Sequence, residues 1–484
     1  MNKRQVIRLL GAILLVEAAC MVPSLVVALI YRDPGDAAAM LYSMLIVLAT
    51  GLPMRLLAKP KHTNLRAREG FAVVGLSWVL MSLFGALPFV FSGMLPNYVD
   101  AFFEAVSGFT TTGSTVVADF DHLPHGCTFW RSFTHWVGGM GVLVLTLAVL
   151  PKLTGRTSHL VRAESPGPSL SKIAPKMGDT AKILYRVYAA MSASMFVLLM
   201  VFGMSPYDAA IHTFGTAGTG GFSNYGASIA AFQSPAIEVV ITVYMLLFGV
   251  NLALFYSLFT GSAKDFFRSE ELKWYLGMSG GAILICSLCL LPVYGSFSTA
   301  LRYGAFQVAT IVSTTGFATT DFNLWPIAVK AVLLVLMFVG SCAGSTAGGM
   351  KVVRVALLFK QGKREIASTF QPRKMQVVRF EGKGVDENML HRVTLFAFLY
   401  VLLVLIGGLL VSLGGQYDLL TNFTAALTCV SNVGPGFGEV VGPVGNFAGF
   451  SPFSKLVLSL LMLAGRLELY PILVLFHPSL WHKA

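Results

Sequence analysis

Four stretches decide the fold: VDAFFEAVSGFTTTGST from Val99, YDAAIHTFGTAGTGGFS from Tyr207, STALRYGAFQVATIVSTTGFATTDF from Ser298 and YDLLTNFTAALTCVSNVGPGFGE from Tyr417. Each is a moderately apolar segment, too short to cross a bilayer, that runs into Gly/Thr/Ser-rich sequence. Aligning TGS, GGF, TGF and VGP puts Gly113, Gly221, Gly316 and Gly434 in register. The intervals are 108, 95 and 118 residues, a repeat period near 107. Asp100 and Asp208 each lie 13 residues before the aligned glycine, where either acid suits the N-cap of a short helix.

The flanking sequence is that of a membrane protein. Of 484 residues, 55% are hydrophobic and 12% charged, about half the charge of a soluble chain. Mean hydropathy is +0.72. A soluble enzyme, a disordered chain and an outer-membrane barrel are excluded, because the apolar runs are long and continuous. Ten segments are expected to cross: about 5–30, 37–58, 70–94, 130–152, 181–204, 235–260, 271–292, 326–359, 389–414 and 453–476. The first follows Lys3, Arg4 and Arg8, but it is too long for a signal peptide and lacks an A-x-A site, so it counts as a span.

Lys and Arg outnumber Asp and Glu by 35 to 23, a net charge of +12. The excess sits at the N-terminus and in loops 55–69, 152–186 and 351–392, which alternate with acidic connections carrying Asp33, Asp100, Glu104, Asp208 and Glu439. The positive-inside rule then puts both termini of a multi-pass membrane protein in the cytoplasm. The basic balance is a topology signal, with attraction to membrane lipid and no nucleic acid as partner.

The expected fold is an all-α polytopic membrane protein of four span–pore helix–filter loop–span repeats around one pore. An extra N-terminal pair of spans (1–68) precedes repeats at 69–175, 176–264, 265–386 and 387–484. Non-helical backbone at membrane depth is tolerated only when buried or facing a water-filled cavity, so four such loops converge on one axis. The short helices point partially negative C-terminal ends at it, which favours a cation. Glycine lets carbonyl oxygens turn inward and replace a hydration shell. The expected ion-binding backbone is Thr111, Thr112 and Gly113; Thr219, Gly220 and Gly221; Thr314, Thr315 and Gly316; and Asn432, Val433 and Gly434. The doubled glycine of the second repeat leaves Gly220 and Gly221 both open as its filter glycine.

TTTGST (110–115), TGGFS (219–223), STTGFATTDF (313–322), GSCAGSTAGGMKVVR (340–354), SNVGPGFGE (431–439) and AGRLELYP (464–471) resemble the Trk/Ktr/HKT superfamily of potassium transporters, closest to its TrkH-type membrane subunits, over essentially the whole chain. The resemblance implies potassium as the transported ion and a homodimer with one pore per subunit. It also implies a cytosolic ring of RCK-type (TrkA-like) nucleotide-binding regulatory subunits. Relatives with serine in the first repeat pass sodium, so Gly113 argues for potassium.

The eighth span is too long for one crossing, and its middle, Gly340–Lys351, is rich in Gly and Ser. A break is expected, centred on Gly344, Ser345, Thr346, Gly348 and Gly349 and held by few side chains; the alternative is close helix packing by small residues. The resembled family uses this segment as a gate. Arg466 lies 13 residues into the last span, where an arginine costs at least ~2.5–3.5 kcal/mol. It either pairs with an acid of another helix or faces the pore as a positive charge opposing cations. In the resembled family the matching arginine sits below the filter. Glu468, two residues on, is expected to point elsewhere.

Other chemistry is not supported. His122, His125 and His135 read as outer-face or pore-helix packing, Cys286 and Cys289 as packing, and Gly138–Gly141 as close helix contact within a span. No Walker loop or strand-borne GxGxxG exists, so no organic cofactor is expected, and the spans hold no paired catalytic groups. The rival to a gated channel is a symporter coupled to protons or sodium. Carriers usually show inverted repeats and intramembrane acids, whereas these repeats are parallel and Glu17, Glu238 and Glu468 are the acids in the spans.

Overall fold

The computed structural model describes residues 2–60, 67–141, 177–259, 263–371, 373 and 376–478. The second half of the expected span 130–152, most of loop 152–186, the boundary at 175 and Lys374 lie outside the described residues.

The four repeats occur as helix, short helix, loop, helix. The first helices are Ala67–Gly85, Met177–Val201, Glu270–Tyr294 and Glu387–Ser412. The short pore helices are Tyr98–Phe109, Pro206–Gly218, Phe297–Val312 and Leu419–Ser431. The extra pair, Lys3–Tyr31 and Asp36–Leu57, packs against itself and flanks the first repeat. Among the described residues six helices are long and apolar enough to cross a membrane. Leu29, Ile30, Leu57, Leu288 and Leu409 stay exposed on helix faces while Thr110, Ser313, Thr315 and Ser431 are buried. This inverts a soluble protein and suits a lipid surround, where apolar surface gains nothing by being covered.

The helices after the loops differ from expectation in three of four repeats. Only the break at Gly340–Lys351 was foreseen; it separates Ile327–Val339 from Val352–Phe370. The expected span 235–260 is instead Pro235–Phe248 and Leu252–Phe259, bent by 94° between Phe248 and Leu252. The last span is Pro452–Arg466 and Tyr470–Leu475, interrupted where Glu468 and Leu469 take φ of 56° and 65°. In the first repeat His125–Gly139 stops at the Gly138–Gly141 run, so those glycines end a helix. They still serve close packing: a Cβ on Gly138 would lie 1.9 Å from the Phe109 carbonyl oxygen.

The caps also differ. Asn97 and Ser205 cap the first two pore helices, accepting from the amides of Val99 and Asp208. Asp100 and Asp208 sit in the first turn, still favourable against the helix dipole. In the fourth repeat Asp418 does cap, accepting from Thr421 N.

Neighbouring repeats are tied pairwise. Asp100 takes an ion pair from Lys455 at 2.5 Å, joining the first repeat to the fourth, and Phe447 N donates to Thr115 O at 2.7 Å. Ile229 N donates to Ala318 O, and Asn323 exchanges hydrogen bonds with the Gly438 backbone. The first and second repeats are joined by Arg131, whose Nη1 donates to Ser223 O at 2.9 Å and whose guanidinium lies 3.5 Å from the Phe222 ring centre. Its Nε meets Glu104 at 2.6 Å with both side chains buried. The other Glu104 oxygen accepts from Val116 N at 2.9 Å. Removing one partner of such a pair strands a buried charge at a cost of ~3–5 kcal/mol. Glu104→Ala should therefore lower the thermal transition of the detergent-solubilised protein by several degrees more than Lys455→Ala, whose partner Asp100 is partly exposed. Equal transitions for the two variants would deny the Glu104–Arg131 pair this role.

Candidate ion-conducting site

Each pore helix ends in the same way. The amides of Thr112, Gly220, Thr315 and Val433 reach back five residues to the carbonyls of Ser107, Gly215, Thr310 and Thr428, at 2.9, 2.8, 2.8 and 3.0 Å. The residue before each amide is left-handed: Thr111, Thr219, Thr314 and Asn432 have φ of 55°, 58°, 55° and 54°. This is the six-to-one closure of a helix with a left-handed cap. A non-glycine residue there costs about 1–2 kcal/mol, and it persists only where its surroundings enforce it. The next glycines, Gly113, Gly221, Gly316 and Gly434, have φ of 83°, 76°, 86° and 104°.

These glycines touch one another's repeats in cyclic order. A Cβ on Gly113 would lie 2.0 Å from Gly220 O, and one on Gly221 2.0 Å from Thr315 O. One on Gly316 would meet Val433 O at 2.4 Å, and one on Gly434 would meet Thr112 O at 2.8 Å. The ring closes 1–2–3–4–1, with the carbonyls of Thr112, Gly220, Thr315 and Val433 at its contacts. In the second repeat Gly221 has the conformation of the other three glycines, while Gly220 backs onto the His135 ring, 2.4 Å from an added Cβ. A cavity of ≈ 300 Å³ opens on all four glycines and is bounded by residues 441–447.

Side chains brace the ring from behind. Thr110 and Thr112 share a 2.7 Å hydroxyl contact, as do Ser313 and Thr315. Asn432 Nδ2 donates to Thr112 Oγ1 at 2.9 Å and to Met462 O at 3.0 Å. His135 is not on the outer face: it is fully buried, with Nδ1 2.8 Å from Gly108 O and Nε2 accepting from Phe222 N. Of the other two histidines, His122 contacts Asp119 and His125 contacts Asp33, and neither is buried. Among the described residues no group of His, Cys, Asp and Glu could hold a metal ion.

The break at Gly340–Lys351 is held more tightly than its composition suggests. Gly348 N donates to Thr314 Oγ1 at 2.7 Å, and a Cβ on Gly348 would lie 2.3 Å from Ser431 O. Ser341 Oγ donates to Val312 O at the end of the third pore helix. The segment is thus packed against the ends of the third and fourth pore helices. Cys342 N donates to Gly249 O and Leu252 N to Gly344 O, so the bend of the second repeat clasps it. Gly340 turns it back at φ 72°, directly against Gly348 and Gly349. Lys351 is buried and donates to Ala347 O, and Ser345 Oγ to Cys342 O.

Arg466 reaches this segment. It donates to Thr346 O at 2.7 Å, to Gly138 O at 2.7 Å and to Gly139 O at 2.8 Å. A guanidinium against carbonyls at the end of His125–Gly139 sits where a helix carries partial negative charge. Glu468 does point elsewhere: it pairs with Arg354 at 2.5 Å, and Arg354 lies 4.0 Å from the Phe396 ring centre. The pore-helix packing read for His135 holds, since its ring meets Gly108 O, but sequence reasoning missed Arg131 and also Asn251, whose Oδ1 lies 2.8 Å from where a Cβ on Gly344 would sit. A cation at the start of an apolar window was the available signal for Arg131, and the FGVN run at 248–251 for the bend.

The family model for TrkH, described as a cation transport protein, matches residues 37–483. The chain is 37% identical over 489 residues to the Trk system potassium uptake protein TrkH of Salmonella typhimurium, covering 100% of both chains. It is 35% identical to the TrkH of Halomonas elongata over 100% of both, and 33% identical to the Trk system potassium uptake protein TrkG of Escherichia coli over 99% of both. Its fold superposes on the crystal structure of the potassium transporter TrkH from Vibrio parahaemolyticus with a TM-score of 0.90, 33% identity and full coverage of each chain. Four glycine loops closed into one ring, a buried segment against their inner ends and these full-length likenesses lead to one assignment: the chain belongs to the TrkH family of cation transport proteins.

Proposed function

We propose that this chain takes up potassium across the bacterial inner membrane through a carbonyl-lined filter closed by an intramembrane gate. It moves an ion and performs no catalysis. The carrying observation is the cyclic contact of Gly113, Gly221, Gly316 and Gly434 with carbonyls of the next repeat. Backbone oxygens fixed in a ring can replace the waters of a desolvated cation, and backbone without side chains lets four segments approach that closely. Thr111–Gly113, Thr219–Gly221, Thr314–Gly316 and Asn432–Gly434 form the filter, one strand from each of the repeats 69–175, 176–264, 265–386 and 387–484. The unit is a homodimer with both termini in the cytoplasm, controlled by an RCK-type nucleotide-binding subunit. Relatives named as members of a Trk system support a multi-component assembly.

A serine at Gly113 would force its Cβ against Gly220 O and push that carbonyl off the axis. Gly113→Ser should lower potassium-over-sodium selectivity by about tenfold, equivalent to ~1.4 kcal/mol. The measurement is competitive rubidium and sodium flux into liposomes, and wild-type discrimination would remove Gly113 from the filter.

The segment Gly340–Lys351, with Gly344, Ser345, Thr346, Gly348 and Gly349 at its centre, is the gate, and Arg466 is its latch through Thr346 O. Deleting Gly344–Gly348, or replacing Arg466 with Ala, should raise basal rubidium uptake of the chain alone. Wild-type flux in both folded variants would make the segment and Arg466 structural. Single-channel recording from the same liposomes distinguishes discrete openings from the slow saturating flux of a coupled symporter.

The cytoplasmic docking surface is the basic stretch 351–392. Arg364 is already committed to Glu387 and Glu365, whereas Lys363 and Arg373 are exposed. Lys363→Ala with Arg373→Ala should weaken capture of the soluble partner several-fold at low salt and less at high salt, because screening shortens the reach of surface charge. Undiminished capture at low salt would locate the docking charge elsewhere.

A further inference from the structure

The hairpin Arg379–Phe380 and Lys383–Gly384 lies outside the apolar spans, yet its contacts lead directly to the break. Its two-residue turn, Glu381 and Gly382, has φ of 50° and 74°, a left-handed pair matched to hairpin twist. The turn aims the Glu381 carboxylate at the start of Glu270–Tyr294. One oxygen accepts from Ser269 Oγ at 2.9 Å, Glu270 N at 2.9 Å and Glu271 N at 3.2 Å. Glu270 returns the contact by accepting from Glu381 N at 3.0 Å. Lys360, on Val352–Phe370, binds both Glu270 and the Arg379 carbonyl.

The next residue inward is Glu271. Its Oε1 accepts from Ala343 N at 2.6 Å, and Ala343 belongs to Gly340–Lys351. A second contact joins the same two segments. Ala343, Val353, Leu357, Val378, Leu390 and Val393 form an apolar cluster separate from the main core, and Phe380 of the hairpin and Val385 just after it pack against it. A polar and an apolar path thus run from the hairpin to one residue of the break.

We propose, on the gate reading above, that Glu271 is a positioning residue of the gate and that the 379–384 hairpin is the handle that sets it. Glu381 caps the helix and fixes the direction of Glu271, and Glu271 holds the Ala343 amide. A partner that lifts the hairpin removes the cap and uncovers the cluster around Ala343 together, releasing the segment at its cytoplasmic side. An amide buried without an acceptor is unfavourable, so loss of the latch shifts the segment toward its released arrangement.

The test uses the full chain in liposomes and in detergent. Glu271→Ala and Glu381→Ala should each raise basal rubidium uptake about tenfold, which corresponds to ~1.4 kcal/mol of lost latch. Both should speed hydrogen exchange in peptides spanning 340–351. Glu271→Gln and Glu381→Gln keep the accepting oxygen and should stay near wild type, which loss of packing alone would not produce. Glu381 is exposed, so its alanine variant stays informative if Glu271→Ala does not fold. Deletion of Gly344–Gly348 is the control for the gate itself. High flux in the deletion with wild-type flux and exchange in both alanine variants overturns the handle and leaves the gate. Wild-type flux in the deletion overturns the gate; faster exchange over 340–351 in Glu381→Ala then still upholds the hairpin's hold on Ala343, and unchanged exchange overturns it.

Discussion

Everything in this molecule answers to the contact between a glycine of one repeat and a carbonyl of the next. At Gly113 and Gly221 the space for a Cβ ends 2.0 Å from a neighbouring oxygen. Four segments approach this closely only if each presents bare backbone, and bare backbone inside a membrane must be satisfied by protein, water or a desolvated ion. The left-handed residues before the glycines follow from that requirement, because they turn each pore helix into the ring. The braces follow in turn: Asn432 ties the fourth strand to Thr112 of the first, and His135 fills the space behind Gly220. The buried Glu104–Arg131 pair fixes the first pore helix to the segment that carries Phe222 and Ser223.

The ring was legible in the sequence because its demand is compositional. A position that admits only glycine leaves a mark at a fixed period, and four marks in register between apolar runs define the repeat. Thr111, Thr219, Thr314 and Asn432 lie two residues before those glycines and fall in the same stretches, but their left-handed backbone left no mark of its own. The breaks at Gly249–Asn251 and Leu467–Leu469 were not legible, since a three-residue interruption barely changes the hydropathy of a twenty-residue window. Gly340–Lys351 was legible because the twelve residues between its helices shift local composition. The caps were displaced by three positions because Asp100 and Asp208 satisfy the first turn as well as they would the cap, and only the chain direction at Asn97 and Ser205 separates the two.

Charge was legible as a count and less so by use. The stretch 351–392 is basic, the composition from which a cytoplasmic loop is expected. Several of its cations nevertheless serve the chain itself: Lys360 holds Glu270, Arg364 holds Glu387, and Arg354 holds Glu468. Glu270 and Glu387 begin their helices and Glu468 lies in the last break, so the pairs sit where helices begin or are interrupted. A count of positive residues therefore overstates the charge free to meet a partner or an anionic lipid.

The repeats are alike at the ring and unlike beneath it. All four helices that follow a loop stop or bend at comparable positions, and in the second and fourth repeats the interruption is short. In the third it is long enough, at roughly 3.3–3.6 Å per extended residue, to leave its own repeat and touch others. It reaches Gly249 of the second repeat, Ser431 and Arg466 of the fourth, and through Arg466 the end of the first repeat's helix at Gly138. A symmetric ring binds an ion equally from all sides and has no preferred place for control. On the proposed gate reading, an asymmetric segment that touches three repeats directly and the first through Arg466 supplies one, because moving it changes contacts that lead to all four. The contact at Ala343 matters for the same reason: it is where that segment is held from the side facing the polar loops, away from the ring.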